Sequence, residues 1–279
     1  MPLLYQRIKM IYTNSPLSWV GSKHKSLDFI LPYLGNDGAL IEPMVGAGNI
    51  FLNTNFKKYF LSDINEDLIN FYKYLQTFPI SFPNECKRYF ASNPSNEETY
   101  YRIRNEFNKD FLSSRKMIQF LWLNKHGYRG LIRYNQKGQF NVPFGHYKNV
   151  KFPEKELSNM AYKLSSNNVK LNRFDFADFY KSFFVEIKKE DVVYFDPPYI
   201  GTFSGYTSQS FGLQEHVYLN IIAKHLKDTF GCKVFISNID NELVRSTYEG
   251  AIFHTIKVLH SVSAKNKKTI TAKEVLIEY

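Results

Sequence analysis

A short apolar segment that stops at an acid and two prolines restricts the fold of this chain more than any other feature. In VVYFDPPYIG, residues 192–201, the apolar run ends in Asp196, Pro197, Pro198 and Tyr199. Proline has no backbone N–H and a fixed φ, so the run cannot continue as a central strand beyond Asp196. We therefore predict a buried strand with a stiff, nearly extended turn at its carboxyl end.

Further apolar segments alternate with segments of helical spacing along the chain. The predicted strands lie at residues 39–43, 57–65, 169–176, 191–196, 232–237 and 274–279. The predicted helices between them lie at residues 66–75, 178–184 and 213–230. Because strands separated by helices are typical of a doubly wound, parallel-rich sheet, the pattern predicts an α/β fold.

The middle of the chain differs from the rest. Helical spacing dominates residues 97–111 and 114–127, and the turn QKG between LIRYN and QFNVPF then indicates a β-hairpin. Residues 101–151 hold eleven Lys and Arg against two acids, and so carry nine of the ten net positive charges. A solvated helical face would also be basic, but the aromatic residues between these charges favour nucleic-acid binding. The predicted division is an α/β domain in two parts, residues 1–76 and 153–279, around a basic, mainly helical inserted domain, residues 77–152.

The composition argues against several other classes of protein. The two cysteines of this 279-residue chain form neither a metal-ligand nor a disulfide pattern, which fits a reducing compartment. The sequence shows no signal-peptide core and no apolar run long enough to span a membrane. It also lacks the full G-x-G-x-x-G of nicotinamide-binding domains and the phosphate loop of ATPases.

Three of the predicted strands end in residues suited to a nucleoside. Gly46 and Gly48 follow the first strand, where bare backbone allows a ligand to approach closely. Asp63 ends the second strand, and its carboxylate could accept hydrogen bonds from both ribose hydroxyls. Asp175, with Phe176 beside it, could bind the amino group of an adenine ring. Taken alone, the glycines could form a tight turn, Asp63 a helix N-cap and Asp175 a strand-end turn. Together they predict a site for an adenosine-bearing cofactor.

The end of the strand at Asp196 places two hydrogen-bond acceptors at one rigid position. A carboxylate and a neighbouring proline carbonyl suit an –NH2 group, which has two N–H donors. When both hydrogens are accepted, the nitrogen lone pair is no longer delocalised into a nucleobase ring, and the amine becomes a nucleophile. Tyr199 would supply a flat face for the base. A strand terminator with a buried tyrosine is the structural alternative.

In order and content, these motifs resemble the amino-group DNA methyltransferases of the Dam type, which use S-adenosylmethionine. LSWVGSK resembles the N-terminal cofactor motif of that family, LIEPMVGAGNIFLNTN its first Rossmann-like motif, LSDINEDLINFY its second, and DPPY its catalytic motif. The segment LNKHGYRGLIRYNQKGQFNVPFGHYKN resembles the Dam recognition hairpin, and its place before DPPY is the α-group order. The resemblance covers residues 16–279. It implies a Rossmann-like doubly wound mixed sheet with an inserted, mainly helical target-recognition domain that carries a β-hairpin.

The resemblance also implies roles for individual residues. The implied cofactor-binding residues are Trp19, Lys23, Gly46, Gly48, Asp63, Ile64, Asp175, Phe176 and Asp196. The implied catalytic residues are Asp196, Pro197, Pro198 and Tyr199. The implied DNA-binding residues are Tyr128, Arg129, Leu131, Arg133, Pro143, His146 and Tyr147. Within this last group, Tyr128 matches an aromatic residue that helps to open the duplex, and Arg133 is long enough for bidentate contact with a guanine edge.

The reaction implied by the resemblance is transfer of a methyl group from S-adenosylmethionine to N6 of adenine in double-stranded DNA, within GATC, on a flipped-out base. Four positions depart from the family pattern. Ser18 stands where Lys is usual, Ser22 replaces a Gly, Met44 replaces a Phe, and His146 replaces an Arg. The changes at Ser18 and His146 leave the recognition sequence open, and those at Ser22 and Met44 bear on cofactor affinity.

Three alternatives to this reaction remain at the level of sequence. They are the same chemistry at another recognition sequence, methylation of the N4 amine of cytosine, and a DNA-binding module without activity. Asp196 favours adenine, because relatives that act on the cytosine amine usually carry Ser there. We further expect a monomer in the cytoplasm of a bacterial or phage-infected cell, with no obligate protein partner and no metal.

Overall fold

The computed structural model describes residues 11–166, 168–178, 186–200, 211–261 and 269–279. Its strands are β1 (Ala39–Glu42), β2 (Lys58–Asp63), β3 (Val169–Arg173), β4 (Val192–Phe195), β5 (Lys233–Ile239), β6 (Ile252–Ser261) and β7 (Thr269–Glu278). Its α-helices are α1 (Leu27–Leu34), α2 (Asn49–Leu52), α3 (Glu66–Thr77), α4 (Ser81–Ser92), α5 (Glu97–Phe107), α6 (Ser114–His126), α7 (Glu154–Ser165), α8 (Leu213–Phe230) and α9 (Glu242–Thr247). Most of the helix predicted at residues 178–184 lies outside the described residues.

The seven strands form one mixed sheet in the order β3-β2-β1-β4-β5-β7-β6. The first five are parallel, whereas β7 runs antiparallel to both β5 and β6. The predicted α/β fold with a doubly wound mixed sheet is confirmed. The third strand was predicted to reach residue 176, but β3 ends at Arg173. The strand β6 was not predicted.

The central strands are buried on both faces. Every residue of β1 and β4 is buried, which explains why both read as continuous apolar runs. One face packs against α8, whose buried side chains include Leu219, Ile222 and Leu226. The other face belongs to a larger core that includes Leu40 and Leu61 of the sheet. This arrangement places the carboxyl ends of the parallel strands at one edge, where doubly wound sheets bind ligands.

The segment between α3 and α7 contains helices α4, α5 and α6, so the inserted segment is mainly helical, as expected. The helix predicted over residues 97–111 ends earlier, at Phe107. The Asn108 side chain explains this, because its amide bonds both backbone groups of Phe140, with Oδ1 accepting from N–H at 2.8 Å and Nδ2 donating to the carbonyl at 3.0 Å. The end of α5 is therefore tied to the segment that follows α6.

The segment predicted as a β-hairpin turns back on itself but forms no pair of strands. Its ladder consists of two isolated antiparallel bridges, Gly127–Phe144 and Tyr134–Phe140. Backbone hydrogen bonds also join its two sides, as from the Asn141 N–H to the Arg133 carbonyl at 3.0 Å. The Val142 carbonyl instead accepts from a side chain of α5, the Tyr100 hydroxyl, at 3.0 Å. We refer to residues 127–147 as the recognition hairpin. No helix of the described residues is long and apolar enough to cross a membrane.

Candidate active site

Asp196 follows β4 directly and lies in contact with Lys23. The Lys23 Nζ atom is 2.5 Å from Asp196 Oδ1, and it also donates to the Gly21 carbonyl at 2.8 Å. The same ammonium group lies 4.8 Å from the centroid of the Tyr199 ring. Lys23 therefore joins the predicted acceptor carboxylate to the predicted stacking face.

Burial and the charge of Lys23 act in opposite directions on the pKa of Asp196. Burial raises the pKa of its carboxyl above 3.8, and the neighbouring Lys23 ammonium lowers it. Glu274 of β7 is a second acid in this pocket and raises the pKa of Asp196 further. Its Oε2 accepts a hydrogen bond from Ser26 Oγ at 2.8 Å. Burial and the nearby Asp196 also hold the pKa of the Tyr199 hydroxyl well above its usual range.

Glu42 ends β1, the strand next to β4, and lies deeper than Asp196. Only 2% of its surface is exposed, and its Oε1 has no hydrogen-bond partner within the part of the chain that the structure describes. Burial, and then the charge of Asp196, raises its pKa to about 8, so the carboxyl is protonated at neutral pH. Glu42 therefore adds a polar, largely neutral wall to the pocket. Sequence analysis did not identify it as a site residue.

The turn after β1 contains two glycines, which are buried and lack the Cβ that their close neighbours would meet. Gly46 and Gly48 both adopt positive φ angles, 48° and 69°. A Cβ added to Gly46 would lie 2.9 Å from Nε1 of Trp19, so the indole covers this glycine and excludes any larger residue. The Tyr72 hydroxyl donates to the Gly46 carbonyl at 2.7 Å and fixes the turn from the other side.

Asp63 lies at the end of β2 and is bonded to this same turn. Its Oδ2 accepts from the Gly46 N–H at 3.0 Å, and its Oδ1 accepts from the Asn65 N–H at 2.9 Å. Burial raises the pKa of Asp63 to about 6, against the effect of these backbone donors. The N-cap of α3 is Asn65, not Asp63. Ile64, which lies between them, exposes 39% of its surface.

Asp175 and Phe176 lie beyond β3. Asp175 Oδ1 accepts from the Ala177 N–H at 2.9 Å and forms a tight turn after the strand. The buried Phe176 ring packs on Phe211, with centroids 5.3 Å apart. The three strand-end sites at Gly46, Asp63 and Asp175 therefore lie on the adjacent strands β1, β2 and β3, at the same edge of the sheet as Asp196.

The predicted DNA-binding residues are on the surface of the recognition hairpin. The exposed ones are Tyr128, Arg129, Pro143, His146 and Tyr147. Leu131 and Arg133 are half-buried. The Arg133 side chain is held from one side, because Nε donates to Asn141 Oδ1 at 2.7 Å. Arg129 has a φ of 55°, in the left-handed region, and its N–H donates to the Tyr147 hydroxyl at 2.7 Å.

Asn124 of α6 links the recognition hairpin to the segment that precedes Trp19. Its Oδ1 accepts from the Ser18 N–H at 2.9 Å, and its Nδ2 donates to the carbonyls of Ser18 and Gly130 at 2.8 and 3.1 Å. Gly130 lies so close that an added Cβ would be 2.1 Å from Ser18 Cβ. Sequence analysis missed Asn124, although a polar residue in the apolar run FLWLN indicates a buried hydrogen-bonded group.

Ser22, one of the four departures from the family pattern, has a partner in this structure. Its hydroxyl accepts a hydrogen bond from Asn49 Nδ2 at 2.8 Å. The bond joins the segment that carries Lys23 to the first residue of α2. Among the described residues, no cluster of three or more His, Cys, Asp or Glu side chains could hold a metal ion.

Comparison with known proteins agrees with this geometry. Residues 19–263 match the D12 class N6 adenine-specific DNA methyltransferase family. The chain belongs to that family. It is 38% identical over 268 residues to a DNA adenine methylase of Escherichia coli (strain K12), with 94% of each chain covered. It is 39% identical over 268 residues to a DNA adenine methylase of Haemophilus influenzae, covering 93% of this chain and 91% of the relative.

Membership of the D12 class confirms the predicted enzyme class, a DNA methyltransferase that acts on N6 of adenine. A third relative, a DNA adenine methylase of Vibrio cholerae, is 38% identical over 252 residues. Because these matches span almost the whole chain, they include both the glycine turn and the recognition hairpin. DNA is therefore the substrate, and the reaction requires a methyl donor. The cytosine alternative and the inactive module lose their support.

Proposed function

We propose that this D12-class enzyme transfers the methyl group of S-adenosylmethionine to N6 of adenine within GATC, on a base flipped out of duplex DNA. One observation carries the proposal: the Asp196 carboxylate, a rigid proline turn and the Tyr199 ring meet at the carboxyl end of β4, with Lys23 between the acid and the ring. An amine inside the duplex is out of reach of such a pocket, so the base must leave the stack.

The residues at the neighbouring strand ends fit an adenosine-bearing methyl donor. Gly46 lies beneath Trp19 and brings no side chain into the space under the indole, and Asp63 holds a carboxylate beside it. Exposed Ile64 offers an apolar face, and Asp175 with Phe176 would line the adenine end. When bound, S-adenosylmethionine supplies an electrophilic methyl group. These residues, with Trp19, Lys23 and Gly48, would bind and orient the donor.

The pocket acts on the amine through hydrogen bonding and position. An ionised Asp196 accepts one N–H of the amine and the Pro197 carbonyl accepts the other, so the nitrogen lone pair points out of the ring plane. The amine takes the place that Lys23 Nζ holds at 2.5 Å from Asp196 Oδ1. Tyr199 holds the base by stacking, and Asp196 is placed to receive the proton that the amine loses. No covalent intermediate with the enzyme is needed.

The recognition hairpin would select the sequence and hold the duplex open. Its exposed and half-buried side chains would contact either base edges or phosphates. Only the contacts with base edges read the sequence. Arg133, fixed by Asn141, is the candidate for a guanine contact. Tyr128, exposed at the start of the hairpin, would fill the space that the flipped base leaves.

The proposal is tested with purified protein, labelled S-adenosylmethionine and two duplexes that differ only in GATC against GTAC. We expect label at N6 of adenine in the GATC duplex alone. Asp196→Ala should abolish transfer and leave DNA binding close to the wild-type level, whereas Asp37→Ala, at an exposed acid outside the pocket, should change neither.

A different result would contradict the activity, the GATC assignment and the role of Asp196. Absence of transfer to any DNA, with cofactor bound, would contradict the activity. Equal transfer to both duplexes would contradict the GATC assignment, and activity of Asp196→Ala would contradict the role of the carboxylate. The departures at Ser18 and His146 make the sequence the part most in need of this test, and sequencing of methylated bases in cells that express the protein would give it directly.

A further inference from the structure

His216 is a buried histidine whose two ring nitrogens are both engaged. It lies in the first turn of α8, with no measurable exposure, beneath the catalytic motif. Its Nε2 is 2.9 Å from the carbonyl oxygen of Pro198, and its Nδ1 is 2.7 Å from the hydroxyl of Tyr248. The DPPY turn is therefore bonded directly to the helix that covers the sheet.

The chemistry of the two partners fixes the proton on the ring. A carbonyl oxygen only accepts, so Nε2 must carry the hydrogen and donate to Pro198. Nδ1 is then the acceptor, and the Tyr248 hydroxyl donates to it. Burial lowers the pKa of His216 to about 4, which keeps the ring neutral in this tautomer at physiological pH. The Phe211 ring stands edge-on to the imidazole at a centroid distance of 4.8 Å and limits its movement.

The hydrogen bond to Pro198 controls a torsion that the proline rings leave free. The rings of Pro197 and Pro198 fix φ at both residues, so ψ is the soft torsion at each. The carbonyl oxygen of Pro198 lies in the same rigid peptide plane as the backbone nitrogen of Tyr199. Holding that oxygen therefore sets ψ of Pro198, and with it the direction in which the chain enters Tyr199.

We propose that His216 is a positioning residue of the methyl-transfer reaction: its Nε2–H holds the Pro198 carbonyl and thereby sets the Tyr199 ring relative to the Asp196 carboxylate. This inference rests on the proposed role of Tyr199 as the stacking face for the flipped adenine. Tyr248 acts behind His216, since its hydroxyl holds Nδ1 as the acceptor. A histidine that only filled the core would not need a hydrogen bond to the catalytic turn.

Two amide substitutions at His216 distinguish a positioning role of this residue from a role in core packing alone. The Nε2 of a glutamine reaches about as far from the backbone as Nε2 of histidine, so His216→Gln retains the donor to Pro198. The amide of asparagine reaches only as far as Nδ1, so His216→Asn keeps the contact with Tyr248 and loses the one with Pro198. His216→Ala loses both, and His225→Ala, at an exposed position of the same helix, is the control.

We expect kcat for methyl transfer to fall about 10- to 100-fold in His216→Asn and His216→Ala, because a small displacement of a reacting group costs that much. His216→Gln should stay within about threefold of wild type, as should His225→Ala. The affinity for S-adenosylmethionine should be unchanged in all four variants. A duplex with 2-aminopurine at the target base gives a readout without turnover: its fluorescence with the Asn variant should differ from that with wild type, and with the Gln variant should match it.

The outcomes are distinguishable from a failure of the proposed function. If wild type does not methylate DNA, the proposed function is wrong. If wild type is active and His216→Asn has the same kcat and the same 2-aminopurine signal, the positioning role is overturned. It is equally overturned if Gln and Asn variants lose the same fraction of activity together with the same loss of thermal stability, since that is the result for a histidine that serves only the core.

Discussion

Lys23 and Asp196 show how burial and charge compete at a single carboxyl group. Their side chains are only 5% and 22% exposed, and the ion pair is 2.5 Å long. Burial disfavours the charged carboxylate and raises its pKa, whereas the ammonium of Lys23 stabilises it and lowers the pKa. The proposed mechanism needs the ionised form, because a protonated carboxyl would offer a donor where the amine needs an acceptor.

Lys23→Gln should therefore move the acid limb of activity to higher pH. Removal of the ammonium leaves only effects that raise the pKa of Asp196, so a smaller fraction of the enzyme is ionised at each pH. The measurement is kcat/KM for methyl transfer between about pH 5 and pH 8, since this ratio reports groups in the free enzyme. Lys25→Gln, at an exposed position two residues away, should leave the limb in place. An unmoved limb in Lys23→Gln would show that Asp196 does not govern it.

Single residues of the site differ in how far the sequence reveals them. Asp196 and Gly46 lie in short motifs whose residue types and spacing make them candidates, and Lys23 is a candidate through the resemblance of its motif to that of the family. Glu274 and Ser26, by contrast, meet across 248 positions of the chain. Hydrogen bonds of that kind leave no local pattern. His216 and Asn124 are likewise buried polar residues in helices that carry other polar side chains, so their sequence neighbours do not reveal their hydrogen-bond partners.

The elements of the sheet were predictable in proportion to their burial. The central strands β1 and β4 are buried on both faces, and their continuous apolar runs marked them clearly. The strand β6 lies at the edge of the sheet, where β7 is its one partner among the described strands. Its sequence, IFHTIKVLHS, mixes polar and apolar residues, because an edge strand has less need of an apolar surface on both faces. That is why sequence analysis missed it.

The recognition hairpin was predicted in place but not in form. Turn residues and flanking apolar runs gave its position correctly. Backbone hydrogen bonds join its two sides at some positions, but Phe140 and Val142 bond to the side chains of Asn108 and Tyr100 and interrupt the ladder. A sequence pattern cannot distinguish these two ways of satisfying backbone groups, since both bury alternate apolar side chains. The irregular form leaves Arg133 held by one neighbour, Asn141.

Substitutions in the recognition hairpin should separate reading of bases from contact with phosphates. Arg133→Ala should reduce discrimination at one base pair by about 1–3 kcal/mol, because a bidentate contact with a guanine edge is lost. Lys137→Ala, at the exposed tip, should weaken binding to all sequences alike and lower the salt dependence of affinity. The measurement is Kd for a set of duplexes with single base changes, at two salt concentrations. Uniform weakening by Arg133→Ala would identify it as a phosphate contact instead.

At the scale of the whole molecule, one hydrophobic core crosses the proposed boundaries of the recognition domain. It joins Leu40 and Tyr59 of the sheet to Phe82, Phe120 and Trp122 of the insertion. Asn124 adds hydrogen bonds across the same boundary, from α6 to Ser18. The two proposed domains are separate in sequence and in charge, but they share the apolar interior that stabilises the fold. We therefore expect them to unfold together.

The two tryptophans of the chain make this expectation testable, because one lies on each side of the boundary. Trp19 covers the glycine turn of the catalytic part, and Trp122 is fully buried in the insertion. In Trp19→Phe the fluorescence reports only the insertion, and in Trp122→Phe only the catalytic part. For each variant, the urea transition seen by fluorescence should coincide with the transition of its far-ultraviolet circular dichroism, as a cooperative process requires. Trp122→Phe should lower the midpoint of both signals equally, since the smaller ring leaves a cavity in the shared core. Loss of Trp122 fluorescence well before the loss of helix signal would show instead that the recognition domain unfolds as an independent unit.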